Sequence, residues 1–380
     1  MSSFRFRGTS QCAACLICFA LIAGGQSLQT WLVQGSQALQ AGNNVAAEAA
    51  FRHALAADPN SIEILNDLAI ALARQNKQAE AIGLYRRALK LKPGDAATRK
   101  NLAIAYFRAQ QYSEAWPLLK QMASETPDFP TLDLAGLTLF ALDRYQESAR
   151  YLERASRLNP SDMPTLSMLG KAYMRSRNYT GVTGVFSRIM AVNPDSAEAH
   201  VMMGMAYDKM SRDDDARAEF EAARKADPKF PGVHSGLGQV YWKEGKLDLA
   251  AAEFRAELET YPTDPVSNCL LGEILLKQND SASAIPRFRA AITANPQYKE
   301  AQFGLGKAQL ATGHAAQAVD AFERAIALDT DYVQAHYSLG TALRKLGRNE
   351  QAKREFARAE EIQARQRAAY TKKLESGEPR

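Results

Sequence analysis

The residues best suited to bind a metal ion or to transfer a proton are the five histidines and four cysteines. The separation of His234 and His336 along the chain is three times that of His200 and His234, so their recurrence indicates a packing position in a repeat. Only Cys269 lies in the body of the chain, which leaves no cysteine pair for a disulfide or for a zinc site of the usual spacing. The other three cysteines lie near the N-terminus: Cys12, Cys15 and Cys18. The sequence therefore predicts no metal site.

Three short motifs resemble catalytic or phosphate-binding signatures without completing them. Gly-Leu-Gly occurs at 236–238 and at 304–306, but neither copy has the third glycine or the preceding strand that a phosphate loop requires. The segment 232–236 places Ser235 one residue late for a nucleophile elbow. The acidic run 213–215 is typical of a helix start, where carboxylates complement the helix dipole. These observations predict no catalytic residue and no cofactor, and we expect a protein that is not an enzyme.

The prolines reveal the elements that would have to position any site. Eight of them recur with a period of 34, apart from a single interval of 33 between Pro127 and Pro160. A period of 34 indicates a helix-turn-helix repeat. The eight are Pro59, Pro93, Pro127, Pro160, Pro194, Pro228, Pro262 and Pro296.

Small and large side chains also recur within this period. Position 8 of every unit is Gly or Ala, position 20 is usually Ala, position 24 is always large and position 27 is usually small, as in the series Ala69, Ala81, Tyr85 and Ala88. This pattern resembles the tetratricopeptide-repeat (TPR) signature, and the resemblance covers residues 28–364. It implies an all-α fold, a right-handed superhelical solenoid of about ten helix-turn-helix repeats. The repeats are expected to start near residues 28, 62, 96, 129, 163, 197, 231, 265, 299 and 333.

The remaining prolines and the chain end give further expectations. Four prolines fall at positions 1 or 2, where a helix tolerates proline: Pro130, Pro164, Pro231 and Pro265. Two more, Pro117 and Pro286, fall at position 22, within about one turn of the start of the second helix. The shorter interval after Pro127 predicts a local change in the solenoid between the third and fourth repeats. Residues 365–380 are expected to form a charged capping helix and tail.

Residues 1–25 have the pattern of an export signal. Arg5 and Arg7 precede an apolar run from Cys12 to Ala23, and Ala23-Gly24-Gly25 offers a small-residue cleavage site. We expect a signal peptide over 1–25 and an exported protein, periplasmic or extracellular. The alternative is an uncleaved signal that anchors the chain in a membrane.

The TPR resemblance implies that the first helices line a concave groove, with positions 2, 5, 6, 9, 12 and 13 facing into it. Apolar residues collect at these positions in two clusters. Either they bind hydrophobic side chains of a partner, or they pack between adjacent helices. The first cluster is Ile70, Ile104, Phe107, Leu134, Leu137 and Phe140, and the second is Trp242, Phe303 and Tyr337. Cys269 shares position 5, either as an exposed thiol that could crosslink to a partner or as a small buried residue.

Position 13 is basic in most units, and its side chains form a second candidate surface. This surface could bind an acidic segment or a nucleic-acid backbone, or it could be a solvated rim. The residues are Arg74, Arg108, Arg175, Lys209, Lys243 and Lys277, with Lys345 in the last unit. The formal net charge of +5 is weak, so we expect no nucleic-acid partner. The sequence therefore predicts a scaffold or adaptor that binds a protein or peptide in the groove, with polyanion binding through position 13 as the alternative.

Overall fold

The structure, a computed structural model, describes residues 27–375. These residues form twenty α-helices and no β-strand, and they fall into two compact units divided after Ser176. The chain is thus an all-α solenoid of TPR repeats, as the spacing of small and large residues predicted. The predicted leader, residues 1–25, and the end of the predicted tail, residues 376–380, lie outside the described part of the chain.

The first unit contains nine helices: α1 Leu28–Gln40, α2 Asn44–Ala57, α3 Ile62–Arg74, α4 Gln78–Leu91, α5 Ala96–Arg108, α6 Tyr112–Glu125, α7 Phe129–Ala141, α8 Tyr145–Leu158 and α9 Met163–Arg175. The second unit contains eleven: α10 Tyr179–Val192, α11 Ala197–Lys209, α12 Asp213–Ala226, α13 Val233–Lys243, α14 Leu247–Thr260, α15 Pro265–Lys277, α16 Ser281–Ala294, α17 Lys299–Ala311, α18 Ala315–Leu328, α19 Val333–Lys345 and α20 Asn349–Glu375. Odd-numbered helices are the first helices of the repeats, and even-numbered helices are the second helices.

The turn from a first helix to a second helix is built in the same way in the repeats that lie within one unit. Its middle residue adopts a left-handed backbone conformation, as at Gly42, Asn76 and Gly245. The residue after it donates its N–H back to the helix that has just ended, as Lys77 N–H does to Leu72 O at 3.0 Å. This is the Schellman arrangement, which satisfies the last carbonyls of the helix.

Most turns between repeats end in a side chain that caps the next first helix. Ser61 accepts a hydrogen bond from the N–H of Ile64, Asp95 from that of Thr98 and Asp264 from that of Ser267. Capping of this kind satisfies backbone donors that the helix itself leaves unpaired. It explains why the helices begin where they do, immediately after a proline-containing turn.

In the repeats that lie within one unit, the core is a large side chain at position 24 that packs against the residue at position 8. A Cβ added to Gly35 would lie 2.6 Å from Phe51, and one added to Gly238 would lie 2.5 Å from Phe254. The rings of Phe51, Phe254 and Phe322 are fully buried. Position 8 is therefore small because the ring of the second helix occupies the space that a side chain would need.

The Gly-Leu-Gly motifs have a packing role. Gly236 faces Phe220 of the preceding repeat, while Gly238 faces Phe254 of its own repeat. At 304–306, the two glycines likewise face Phe288 and Phe322. Each motif thus packs against two aromatic rings, one at each glycine. Both glycines are needed because a side chain would collide with the ring.

The expected placement of three prolines is wrong. Helix α13 begins at Val233, so Pro231 precedes it; Gly232 has a φ of +87°, and its N–H donates to the carboxylate of Glu257 at 2.8 Å. Pro117 and Pro286 lie inside α6 and α16, each as the sixth residue and therefore beyond the first turn. A proline there removes one hydrogen bond of the helix. Both prolines are exposed, so the carbonyl that loses its donor can face water.

The turn between the third and fourth repeats is shorter than the turns that connect the other repeats. It spans 126–128, where the corresponding turn before α5 spans 92–95. Asp128 N–H donates to Thr126 O at 2.8 Å, which closes the shorter turn. The shorter proline interval in the sequence corresponds to this turn.

Helix α20 has 27 residues, about twice the length of the other helices. Ile362 in its second half is fully buried, and Arg365 forms an ion pair with Asp331 at 2.5 Å. Helix α20 thus covers the last turn between repeats. Among the helices that the structure describes, none is both long and apolar enough to span a membrane.

Candidate functional site

The predicted groove residues Ile70, Ile104, Arg74 and Arg108 meet in one cleft of the first unit. The cleft lies between the first helices α3 and α5 and has a volume of about 180 Å³. Its lining is completed by Ala73, Gln78, Tyr85, Asn101 and Ala105. Positions 9 and 13 of two successive repeats therefore share one surface, because the repeat places them on the same side of each first helix.

The walls of the cleft are aliphatic. Ile70 and Ile104 are half-buried, and Ile70 packs against the main hydrophobic core of the first unit, which includes Leu72 and Tyr85. Their remaining exposed surface faces the cleft beside the small side chains Ala73 and Ala105. The cleft volume of about 180 Å³ is well below that of a drug-sized pocket. The cleft is therefore suited to a single aliphatic or aromatic side chain.

Polar groups surround these walls. Burial raises the pKa of Tyr85 to about 12, an effect that the nearby Arg108 guanidinium opposes, so the phenol stays protonated at neutral pH. Gln78 donates to Ala73 O at 3.1 Å, while its own amide oxygen is buried and accepts no hydrogen bond within the described residues. The Arg108 guanidinium makes no hydrogen bond or ion pair with residues 27–375, and its side chain is exposed. It is therefore available to a carboxylate outside the chain.

The lining residues of the cleft offer binding groups and no acid-base pair. They include no histidine, cysteine, aspartate or glutamate. The aliphatic walls can hold an apolar side chain, and the amide and guanidinium groups beside them can bind a neighbouring carboxylate. This chemistry suits recognition of a peptide.

The predicted aromatic residues of the first cluster pack within their own repeats. The ring of Phe107 lies edge-on to Tyr112 at 5.5 Å, and that of Phe140 lies edge-on to Tyr145 at 5.2 Å. Leu134 packs against the core of the first unit, and Leu137 is half-buried on α7. None of these four side chains lines the cleft, and the contacts of the two rings match the packing alternative.

The residues of the second predicted cluster also contact other side chains of this chain, within their own repeat or in the next. Trp242 is half-buried, and Lys277 Nζ lies 4.7 Å from the centre of its ring. Phe303 contacts Phe322 and Tyr332 at ring distances of 5.8 and 5.0 Å. The ring of Tyr337 is tilted against that of Phe356, with 6.2 Å between the ring centres.

Cys269, which shares position 5 with two of these residues, is 2% exposed. Burial raises the pKa of its thiol to about 12. A buried, protonated thiol is unreactive, so Cys269 acts as a small core residue and not as an exposed crosslinking site.

The basic residues at position 13 are exposed, but several are engaged with neighbouring repeats. Arg74 donates to Leu39 O at 3.0 Å, and Lys243 donates to Asp208 O at 3.3 Å; each carbonyl belongs to position 12 of the preceding repeat. Lys209 forms an ion pair with Asp208 at 2.9 Å. Arg175 lies over the ring of Tyr145 at 6.0 Å. These cations interact with helix ends and aromatic faces of their own chain. They are therefore less available to form a continuous surface that binds a polyanion.

The recurring histidines are hydrogen-bonded and not merely packed. His200, His234 and His336 each bond through Nδ1 to a glutamate of the following helix, at 2.6–2.7 Å. His200 and His336 also bond through Nε2 to a carbonyl of the turn before their helix, at 3.0 and 3.2 Å. The constant spacing from each histidine to its glutamate, which recurs three times in the sequence, is the signal that could have identified these pairs. No cluster of three or more potential metal ligands occurs in the part of the chain that the structure describes.

Comparisons with known proteins agree with the repeat. The model described as "Tetratricopeptide repeat" matches residues 32–96, 167–229, 201–265, 269–333 and 305–369. The model described as "Anaphase-promoting complex, cyclosome, subunit 3" matches residues 74–155, inside the same array. No match was found among curated proteins.

Solved structures similar to part of the chain include MamA, at 23% identity over 44% of this chain and 97% of that one, with a TM-score of 0.40. Another is YrrB, described as a TPR protein with an unusual peptide-binding site, at 21% identity over 50% of this chain and 97% of that one, with a TM-score of 0.42. The repeat matches cover more than half of the chain, and the helix pairs agree with them. The chain belongs to the tetratricopeptide-repeat family.

Proposed function

We propose that this protein is a non-catalytic scaffold that binds a peptide segment of a partner protein in the cleft between α3 and α5. The observation that carries the proposal is the meeting of Ile70, Ile104, Arg74 and Arg108 around one cleft. A TPR array is the architecture of a protein-interaction scaffold, and its rigid helices hold these side chains in place before the partner arrives. The peptide would insert one apolar side chain, with a neighbouring carboxylate facing Arg108.

The first test is selection of binding peptides from a random displayed library with the purified full chain. We expect enrichment of an aliphatic or aromatic residue beside an acidic residue. Ile104→Asp should abolish binding of the selected peptides, because it places a charge in the apolar wall of the cleft. Met205→Asp is the matched control, since Met205 occupies the same position 9 in a repeat of the second unit and is 40% exposed.

The control should keep both helicity and peptide binding. Equal loss of binding in the two variants, or selection of peptides without an apolar residue, would refute the cleft as the site. Arg108→Glu should weaken only those selected peptides that carry the acidic residue.

We also propose that the chain is exported and that residues 1–25 are removed, which rests on the pattern of charged, apolar and small residues at the N-terminus. N-terminal sequencing of the protein isolated from its own cells tests this. A mature chain that starts near Gln26 agrees with the proposal, whereas an intact Met1 in a membrane fraction favours the uncleaved anchor.

A further inference from the structure

Two polar pockets lie next to each other on the face of the second unit that is formed by its second helices. The first, of about 450 Å³, lies between α14 and α16 with α15 as its floor. The next, of about 400 Å³, lies between α16 and α18 with α17 as its floor. Because α16 lines both pockets, they form one continuous stretch of surface, which we name the α14–α18 face.

The floors of both pockets contain buried side-chain amides whose oxygens accept no hydrogen bond within the described residues. Asn268 is fully buried; its Nδ2 donates to Pro262 O and Asp264 O at 2.9 and 3.0 Å, and its Oδ1 accepts no hydrogen bond within the described residues. Gln302 and Gln309 are each 5% exposed, and their Oε1 atoms also lack a donor in that part of the chain. A buried carbonyl oxygen without a donor is unfavourable, so three in adjacent pockets indicate acceptors for N–H groups of a ligand.

In other repeats of the second unit, the residue at position 4 has a hydrogen-bonding partner on the following helix. Asn268 and Gln302 occupy position 4, where His200, His234 and His336 stand in their own repeats. Each of those histidines is paired with a glutamate at position 23. Repeats eight and nine carry Arg287 and Ala321 at position 23 instead, so the amides have no acidic partner.

The rims of the two pockets are basic. Each pocket is lined by two arginines, namely Arg255 and Arg287 in one and Arg289 and Arg324 in the other. None of these four guanidinium groups makes a hydrogen bond or an ion pair with residues 27–375. By contrast, Arg224 on α12 is paired with Glu253 at 3.2 Å.

We propose that the α14–α18 face binds an extended acidic polypeptide segment, whose carboxylates pair with the four arginines and whose backbone N–H groups reach the amide oxygens of the floors. A peptide supplies both kinds of group along one chain, whereas a phosphodiester backbone supplies acceptors only. Asp280 and Asp320 also lie in the pocket linings and can accept N–H groups of a peptide backbone, which a phosphodiester backbone does not supply. This surface is separate from the cleft between α3 and α5 and does not depend on it.

The test is fluorescence anisotropy of the full chain with a labelled peptide of alternating Glu and Gly, about twelve residues long, which spans about 40 Å when extended. The same peptide with Gln in place of Glu, and an RNA oligonucleotide of similar length, serve as comparison ligands. Arg289→Gln with Arg324→Gln should weaken binding of the acidic peptide about tenfold or more, since charge-assisted pairs are lost. Lys90→Gln with Lys120→Gln removes the same charge from second helices of the first unit and should leave binding within about twofold.

A second variant closes one pocket in the way that the chain itself closes others. Gln302→His with Ala321→Glu recreates the pair of repeats six, seven and ten, so we expect it to fold and to lose binding of the acidic peptide. Ala316→Glu adds the same charge at an exposed position of α18 and should keep binding.

Three results would overturn the proposal: unchanged binding in the Arg289 and Arg324 variant, equal loss in the Lys90 and Lys120 control, or binding of the RNA or the Gln peptide as tight as that of the acidic peptide. Ile104→Asp should have no effect in this assay. Failure here therefore leaves the function proposed for the cleft between α3 and α5 untouched, and the reverse also holds.

Discussion

At the scale of single residues, the core of this protein depends on where a side chain is absent. A Cβ on Gly304 would lie 2.3 Å from Phe288, closer than any real Cβ contact, and Phe288 is fully buried. The ring therefore cannot stay in place if Gly304 gains a methyl group. Its displacement would disturb the interface between two repeats.

Gly304→Ala should accordingly lower the free energy of unfolding by about 1–3 kcal/mol, the usual cost of overpacking a dense core. Gly83→Ala is the control, because Gly83 lies in helix α4 and, apart from the helix's own nearby backbone, no atom lies within 4 Å of the added Cβ. It should raise stability by up to about 1 kcal/mol, since alanine favours a helix over glycine. Urea unfolding followed by circular dichroism measures both changes, and a loss of the same size in the two variants would contradict the role given to Gly304.

Half of this arrangement could be predicted from the sequence. Position 8 is small in every repeat, which indicates a close approach of two helices wherever the period is recognised. The role of Gly236 and Gly304 at position 6 could not be predicted in the same way, because it depends on the direction in which the ring of the preceding repeat points. Sequence spacing gives no information on that direction.

At the scale of elements, contacts between repeats determine where some helices begin and how firmly they are held. Helix α13 begins at Val233 because the carboxylate of Glu257, one helix later, accepts the N–H groups of Gly232 and Ser235 at 2.8 and 3.1 Å. The usual capping side chain precedes its helix directly. A cap supplied from the far end of the next helix has no local signal, and this is why the sequence could not show that α13 begins at Val233, after Pro231.

Glu48 in α2 ties the first repeat to the second. Its carboxylate accepts hydrogen bonds from Lys77, Gln75 and Arg52 at 2.7, 2.9 and 2.9 Å. The bond from Lys77 is the main cause that lowers the pKa of Glu48 from its ordinary value of 4.5 to about 2. A lowered carboxyl pKa stabilises the folded protein above pH 4.5, and this contribution is lost as the pH falls from 4.5 towards 2.

Glu48→Gln should therefore cost about 1 kcal/mol at pH 7, because solvent screens Lys77, which is 42% exposed. The difference in unfolding free energy between wild type and variant should shrink below pH 4.5. Urea unfolding at a series of pH values measures it. A difference that stays constant down to about pH 3 would show that the variant acts through packing and not through the charge of Glu48.

The candidate site shows the same division between what a pattern can and cannot predict. The register placed Ile70, Ile104, Arg74 and Arg108 on one surface, and the structure brings them to one cleft. The register could not distinguish these residues from the two phenylalanines at position 12. The tyrosines that cover the phenylalanine rings lie at the start of the next helix. Whether an apolar side chain on a helix face is free or covered depends on the rotamers of its neighbours.

At the scale of the whole molecule, the repeat period made the fold predictable. Within each unit, a helix contacts mainly the helices next to it in sequence, so spacing along the chain translates directly into neighbours in space. A globular fold with many long-range contacts would not have allowed this step. The two pockets of the α14–α18 face, in contrast, arise where repeats eight and nine lack the His–Glu pair at positions 4 and 23. The sequence alone does not show that these two positions are in contact.

An array of this kind should also respond locally to damage. Ile362 in α20 is fully buried at the last repeat, whereas the nearby Ala364 is exposed. Ile362→Asp buries an unpaired charge, and Ala364→Asp introduces the same residue in water. In a solenoid whose repeats contact only their neighbours, the buried charge should unfold α19 and α20 first.

Hydrogen exchange followed by mass spectrometry measures this. Ile362→Asp should speed exchange over residues 333–361 while leaving α1 to α9 as protected as in the wild type, and Ala364→Asp should change neither region. Faster exchange throughout the chain would mean that the described residues unfold as a single cooperative block, because only then can a defect in the last repeat reach helices that do not touch it. Confinement to the last repeat would mean that the proposed cleft and the end of the array can be altered independently, which is the property a scaffold with separate binding surfaces requires.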